Sequence, residues 1–517
     1  MASCIPHVHP SEKAAIPSQT GHSSPSLSIE QPKPALLEKT SSEGADIVNF
    51  QASIMGSDTT ISMTSEQEAK LMRRIDWHLL PLLSIMYMIK ILDYINVSNA
   101  RIMDQGTNRN ILAELNITPD QYNFLSLAYC LPYIIAEVPC NLVFKYFKPS
   151  VSQSRILISW GVVLCLHATV RNAAGLYTVR AFLGLFEAGL FPGIVIHMCY
   201  WYRPDEMGIR LAFVTILGQF STIIGGILAF AFDGVFARGI SGWRWLVITE
   251  GVFTILLGIA VFLLLPDFPS SVSWLTDTEK VFVQDRLPLN SPRSSDEDFS
   301  FQEFIGTLKD LRLWLFLLCW IFYTVGTTGL TFYQPTVIAN LGFTSIARAQ
   351  LLNIPPAIIS IVVCVISGVI TNRGLIPQPA IPLACMVVIL ASYAVLFTFP
   401  SNGAVYAATA IAGGFSAGWD TMMWPWRVQT TSGATGSAFA IAFVNSYGQI
   451  GGAVGPQLFS SRFAPRYRTS FAIAMGLLSI SILVTIITWM VTGRVEKEIR
   501  RQKRARLVAA KSGEALM

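Results

Sequence analysis

A chain of 517 residues in which 52% are hydrophobic and only 13% charged, with a mean hydropathy of +0.50, is too apolar for a water-soluble protein and reads as a polytopic membrane protein. Lys+Arg 37 against Asp+Glu 32 leaves a net charge of +5, an excess that does not imply nucleic acid and that matters less than where the basic residues sit relative to the apolar runs. Eight cysteines lie scattered without a CxxC or any metal-ligand spacing, so they read as small core residues, with no metal and no cofactor expected.

Residues 1–74 form the first division: a Ser-, Pro-, Glu- and Lys-rich tail to about residue 63 with too little apolar surface to fold alone, then a short polar helix opening at Ser65 with Glu68 as a capping box. No short apolar run of a cleavable signal occurs there, so the first span is expected to direct insertion. Apolar runs of spanning length follow at 79–98, 121–144, 155–172, 177–200, 209–232 and 243–265, and again at 313–338, 348–370, 379–399, 403–425, 436–460 and 468–492. The expected architecture is an all-α membrane protein of about twelve transmembrane helices. These form two six-helix halves, 75–265 and 313–493, joined by a polar linker over 266–312 and closed by a basic tail over 494–517. Lys145, Lys148, Arg155, Arg203, Arg210, Arg373, Arg427 and the tail RVEKEIRRQKRAR fall on the side of the N-terminus, which predicts both termini in the cytoplasm, although Arg101, Arg109 and Arg238 lie opposite. Gly189 with Gly193, Gly218 with Gly226, and Gly448 with Gly452 are small residues spaced for close helix approach.

Ionised groups inside these spans need a reason, since each costs at least about 2.5 kcal/mol against lipid. The fourth span carries Arg180 and Glu187, nearly two turns apart and thus on one face; the first carries Lys90 and Asp93. Because the two helices run in opposite directions, the depths match in a ladder of Asp93 with Arg180 and Lys90 with Glu187, lining a central cavity. Arginine offers a carboxylate a planar bidentate fork, so Arg180, Lys90 and Asn96 are candidate substrate contacts. A carboxylate released from its cation gains affinity for a proton, which makes Glu187 first and Asp93 second as proton-coupling candidates. In the second half Asp420 and Trp424, within AGWDTMMWPWR, are candidate substrate contacts near a break expected at Pro425, with a gate residue or a partner for Arg427 as the other readings of Asp420. Glu137 reads as a brace on a neighbouring helix, and Glu250 is a further intramembrane carboxylate.

These residues resemble the major facilitator superfamily and, more narrowly, its fungal anion:cation symporters of the allantoate permease-like group. DYINVSNA is similar to the first-span pattern at Asp93, Asn96 and Ala100; RAFLGLFEAGLFPG with WYRPDEMGIR to the fourth at Arg180, Gly184, Glu187, Gly189, Pro192 and Gly193. LPDFPSSVSWLTDTEKVFVQDRL, FYQPTVIANLGF and APRY are similar to the linker, the seventh span and the eleventh connection. Tyr94 and Ser98 stand where that group has Arg and Gly, and PWRVQT replaces its usual stretch after the tenth span. The resemblance implies a plasma-membrane secondary transporter, monomeric, taking up a small organic anion such as a vitamin or ureido acid together with protons, its other partners being membrane lipids. Export of a fungal metabolite, or a non-transporting sensor, are the alternatives. An ATP-driven pump is disfavoured by the lack of a GxxxxGK[ST] loop. The GxSxG match at Gly414 to Gly418 lies in a small-residue span rather than at a strand-to-helix turn, so no enzyme is expected.

Overall fold

Within a bilayer each backbone N–H and C=O must find its partner on the chain itself, and helices accordingly cover all twelve apolar segments in the computed structural model of the protein. The structure describes residues 63–143, 147–203, 206–287, 301–341, 346–374, 376–430, 434–463 and 466–512; the tail expected before residue 63 and the acidic run SPRSSDEDFS lie outside them.

Helix α1 (Ser65–Ile102) fuses the short polar helix and the first span into 38 continuous residues. Its cap is Thr64 rather than Ser65: the Thr64 hydroxyl accepts the Gln67 N–H, and the Gln67 side chain accepts the Thr64 N–H. Glu68 is drawn elsewhere, lying 2.5 Å from Arg203 and 3.0 Å from Arg286. After the short α2 (Ile111–Glu114) come α3 (Pro119–Val143) and α4 (Pro149–Leu166). The fourth span splits into α5 (Ala173–Glu187) and α6 (Leu190–Cys199), because Gly189 adopts φ 91°, a left-handed conformation only glycine takes freely. Then follow α7 (Met207–Phe232), a two-residue antiparallel pair, Phe236–Ala237 with Ile240–Ser241, that the all-α expectation did not include, and α8 (Gly242–Leu264). The linker carries α9 (Asp277–Asp285) and α10 (Phe301–Lys309).

The second set comprises α11 (Leu311–Asn340), α12 (Ile346–Leu351) with α13 (Ile354–Arg373), α14 (Ala380–Thr398), α15 (Asn402–Val428), α16 (Ala434–Gly448) with α17 (Ile450–Leu458), and α18 (Arg468–Ser512). No break occurs at Pro425, where α15 continues to Val428; the break in this region falls instead at Gln449, between α16 and α17. The last span and basic tail form one helix, tied to the α13–α14 turn by Arg504 Nε donating to Gly374 O at 2.9 Å. Among the described residues nine helices combine the length and apolarity needed to cross a membrane.

One pairing scheme appears twice. In the first set α1 packs on α7, α3 on α5 and α4 on α8; in the second α11 packs on α17, α13 on α15 and α14 on α18. The sets meet through α3 against α16 and α17, and α7 against α12 and α13. Small residues permit these approaches: a Cβ on Gly226 would lie 2.9 Å from Gln350 O, and one on Gly452 3.0 Å from Cys130 Sγ. Within the first set α3 and α5 meet most tightly at Gly184, where an added Cβ would come 2.1 Å from Tyr129 O. Backbone cannot swing aside as a side-chain tip can. Gly184→Ala is therefore expected to cost about 1–3 kcal/mol and lower the unfolding midpoint of detergent-purified protein, whereas Gly306→Ala, with open space around it, should leave it unchanged.

On the face where α1 begins, charges interlock. Arg286 bonds Glu206 at 2.8 Å and Glu68 at 3.0 Å, Arg210 bonds Asp76 at 2.7 Å, and Arg74 reaches Glu279 at 2.5 Å. His78 stacks on Trp274 with centroids 4.3 Å apart. The linker helix α9 is thus clamped to the start of α1 and the α6–α7 connection. Burial alone would raise the carboxyl of Glu206, but Arg286, Arg210 and Arg203 outweigh it and hold it below the ordinary glutamate value. A depressed native pKa contributes stability above the unfolded value of about 4.3 that disappears as pH falls through the native value. Hydrogen-exchange protection factors in α9, corrected for the intrinsic pH dependence of exchange, should therefore be flat from neutral pH down to about 5 and fall below about 4.3; Glu206→Gln should weaken the clamp at neutral pH and flatten that acid step.

Candidate functional site

Three residues of helix turn the chain through about 300°, so Lys90 and Asp93 on α1 diverge by roughly 60° although both face inward. Each meets the oppositely directed α5. Lys90 Nζ lies 3.7 Å from Glu187 Oε1, and Arg180 Nη1 lies 3.7 Å from Asp93 Oδ1, all four residues being buried or nearly so. Both pairings of the expected ladder are present. The separations are those of ion pairs rather than direct hydrogen bonds, and other groups complete the polar shells. Lys90 donates to Tyr133 OH at 2.9 Å, and Trp160 Nε1 donates to Asp93 Oδ2 at 3.2 Å.

The two rungs occupy different surroundings. Lys90 and Glu187 line a cavity of about 280 Å³ between the two helix sets, as do Asp420 and Trp424 from α15. Arg180, Asp93 and Asn96 do not line it. They sit behind it, within the first set: Arg180 and Asp93 border an annex of about 30 Å³ that shares Glu187, Tyr94 and Tyr129 with the main cavity. All three also face a void of about 10 Å³ enclosed by α1, α3, α5, α8 and His167 in the turn after α4. There Asn96 donates to Glu250 Oε1 at 2.5 Å, and Asn99 to Asn96 Oδ1 at 3.0 Å. Arg180 Nε, Glu250 Oε2 and His167 Nε2 have no hydrogen-bond partner among the described residues. Their void is the size of one water molecule.

Sequence reasoning missed the next connection. Tyr133 and Asn445 extend the Lys90 shell across to the second set: Asn445 Nδ2 donates to Tyr133 OH at 3.2 Å and also to Glu137 Oε1, while Ser446 Oγ donates to Glu137 Oε2 at 2.6 Å. Glu137 is therefore a brace between α3 and α16, and the bracing expected of it holds. Its partners were hidden because Asn445 and Ser446 are neutral residues far away in sequence. Further cross-set contacts join Thr215 with Thr421 at 3.1 Å, Phe191 with Trp424 at 5.1 Å between centroids, and Asn123 with Tyr333 at 2.7 Å. Arg427 is no partner of Asp420: two turns further along α15, it bonds Thr430 at 3.0 Å and lies over Phe316. Ser416, inside α15, is held by Tyr323 OH at 2.7 Å, which suits a packed helix and not a nucleophile at a sharp turn. His197 bonds Asp267 O at 2.9 Å, a helix-end contact.

The sequence profile of the Major Facilitator Superfamily matches residues 79–456. The chain belongs to this superfamily. Among curated relatives it is 32% identical over 302 residues to MFS transporter prlL of Fungal sp. (strain NRRL 50135), covering 58% of this chain and 61% of that one. It is 31% identical to MFS-type transporter cnsO of Penicillium expansum, covering 59% of each, and 26% identical to major facilitator-type transporter hxnP of Emericella nidulans, covering 62% and 64%. The matches thus span about three-fifths of these relatives' length. Among solved structures the human organic anion transporter MFSD10 superposes with TM-score 0.58 at 10% identity, over 79% of this chain and 99% of that one. FucP in its outward conformation superposes with TM-score 0.55 at 12% identity, over 79% and 97%. At such identities the likeness is one of fold. Superfamily membership and the apolar helices make this a multi-pass membrane protein.

In this major facilitator chain the Lys90–Glu187 rung gains roughly 4 kcal/mol of Coulomb attraction at an effective dielectric of ~20, most of it offset by desolvation. Breaking the pair leaves a buried charge alone and costs more than replacing both members. Lys90→Met should accordingly lower the thermal midpoint of the purified protein, and Lys90→Met/Glu187→Gln should recover most of the loss. Equal midpoints for the single and double variants would show the rung to be uncoupled.

Proposed function

We propose that this protein is a secondary active transporter of a small organic anion, coupled to protons and working by alternating access, within the fungal anion:cation symporter group. The observation that carries the reading is the Lys90–Glu187 pair on the wall of the central cavity, with Arg180–Asp93 directly behind it. Lys90 is the cation that an entering carboxylate meets first. Displaced from Lys90, Glu187 becomes a carboxylate without its cation in a dry site, and such a group takes up a proton readily. Substrate and proton then favour each other's binding, the reciprocity that symport requires. Asp93 is the second proton site, held in register by Arg180 and Trp160. Arg180 supplies the positive field of the annex, which an elongated anion reaches past Tyr129 and Tyr94. Asn96 orients Glu250 behind them, and Trp424 closes the cavity against Phe191.

The halves 75–265 and 313–493 are the bodies that rock, around a site at mid-depth. The plasma membrane, both termini cytoplasmic, is the proposed setting, with the protein acting as a monomer. Export of a specialised metabolite is the second reading, favoured by the departures at Tyr94, Ser98 and PWRVQT near the cavity.

The test is the external pH of cells expressing the protein when small carboxylates, including vitamins, ureido acids and fungal acids, are added. Alkalinisation with one compound is expected, abolished in Lys90→Gln and reduced at least about tenfold in Arg180→Gln, the scale of a lost charge-assisted hydrogen bond. Undiminished uptake by Lys90→Gln at equal surface level would refute the anchor. Silence across the panel with the protein at the surface would favour export.

A further inference from the structure

Every carboxylate of the first-set cluster has a partner: Asp93 has Arg180 and Trp160, Glu187 has Lys90, Glu137 has Asn445 and Ser446, and Glu250 has Asn96. Asp420 differs. It lines the same central cavity from α15, in the second set, and among the described residues no hydrogen bond or ion pair reaches it. The ionisable side chains acting on it are Tyr87, Tyr323 and Cys364, none of which carries positive charge in either protonation state. An ionised carboxylate in such a site is costly unless a proton or a cation joins it, and among the described residues no cation does.

The geometry between Asp420 and Lys90 is a short path over aromatic rings. Lys90 Nζ lies 6.0 Å from the centre of the Phe191 ring. That ring is 5.2 Å from Tyr87 and 5.1 Å from Trp424. Trp424 stands one helical turn beyond Asp420 on α15, so the two share a face. The cavity therefore presents a cation on the wall of one helix set, a partnerless carboxylate on the wall of the other, and ring faces between.

We propose that the ligand of this cavity is a zwitterion: an anionic group held by Lys90, an ammonium group held by Asp420, and a flat or apolar body resting on Phe191 and Trp424. The proposal rests on the anion-transport reading and narrows its substrate class. A simple monoanion is either repelled by Asp420 or binds only once that carboxylate has taken up a proton; the ammonium of a zwitterion removes both penalties. Because Lys90 and Asp420 belong to different helix sets, only a ligand carrying both charges pairs with a charged group on each set at once. Its affinity then depends on their separation, which is the differential binding that a change of conformation needs.

The test uses the full chain in lipid nanodiscs and three isosteric probes measured by calorimetric titration: 4-(aminomethyl)benzoate, 4-ethylbenzoate and 4-isopropylbenzylamine. The zwitterion should bind at least about tenfold more tightly than the monoanion, the lower end of what a charge-assisted hydrogen bond supplies. Asp420→Asn should move the two in opposite directions, weakening the zwitterion and strengthening the monoanion as repulsion is lifted; Asp420→Glu should keep the original preference. Equal affinities in the unaltered protein, or a preference that survives Asp420→Asn, overturns the assignment while leaving the anion reading intact. Loss of both acids in Asp420→Asn also overturns it, since Asp420 would then shape the cavity rather than read an amine. Binding of the benzylamine alone, or of none of the three, overturns the anion reading and the zwitterion with it.

Discussion

Hydrocarbon cannot solvate charge, and the four ionised groups on α1 and α5 are the feature around which the first helix set is arranged. Lys90, Asp93, Arg180 and Glu187 neutralise one another in pairs, yet two ion pairs at 3.7 Å do not satisfy the remaining donors and lone pairs of four buried groups. The surrounding helices add to the shells: α3 brings Tyr133 to Lys90 and α4 brings Trp160 to Asp93, while α8 places Glu250, bonded by Asn96, behind them. Once those side chains must point inward, the faces of α3, α4 and α8 are set, and their other faces are left to apolar residues such as Leu131, Val162 and Leu256, all exposed at the periphery. The pairing of α4 with α8 and of α3 with α5 follows from enclosing one polar cluster.

Contact between the sets is built differently. Outside the Glu137 brace and the Arg101 guanidinium over the Tyr333 ring, it relies on small residues, backbone carbonyls and neutral side chains: Gly226 beside Gln350 O, Gly452 beside Cys130, Thr215 with Thr421, Asn123 with Tyr333. Such contacts are individually modest, worth about 0.5–1.5 kcal/mol for a neutral hydrogen bond, and neutral partners leave no bare charge when they part. Under the proposed alternating access, an interface that separates and re-forms is better made of these than of ion pairs. The charged clamp of Glu68, Glu206, Arg203 and Arg286 lies instead inside one set and its linker, where parting is not required.

Much of this was legible in the sequence because charge in an apolar run is a loud signal. The spacing of Arg180 to Glu187 and of Lys90 to Asp93, with antiparallel depth matching, placed both rungs of the ladder. Helix locations followed from hydropathy alone. What the sequence did not disclose was angular: a 60° divergence on α1 sends Asp93 toward α4 and α8 while Lys90 faces the cavity, so Arg180 lies behind the chamber rather than on its wall. Neutral partners were equally silent. Nothing in a sequence marks Asn445 and Ser446 as the answer to Glu137, since they are 308 and 309 residues away. Local chemistry also misled where two sequences compete, as at Thr64–Gln67 and Ser65–Glu68, and only the demand of Arg203 and Arg286 for Glu68 settles which box forms.

The two helix sets therefore divide the work of recognition unequally. Charge is concentrated in the first, whereas the second contributes a wall of packed rings: Tyr323 stacks on Trp419 at 3.5 Å, and Trp320 lies 5.2 Å from Trp419 and 5.0 Å from Trp424. The threonines that line the cavity from α11 spend their hydroxyls on backbone carbonyls, Thr327 on Tyr323 O and Thr328 on Thr324 O and Gly451 O, so they stiffen the helix and present methyl groups. Rings and methyls hold shape but cannot by themselves select charge. That makes Asp420 the one acidic or basic side chain on an otherwise neutral wall among the described cavity residues, whereas the first set contributes Lys90 and Glu187 to the same cavity.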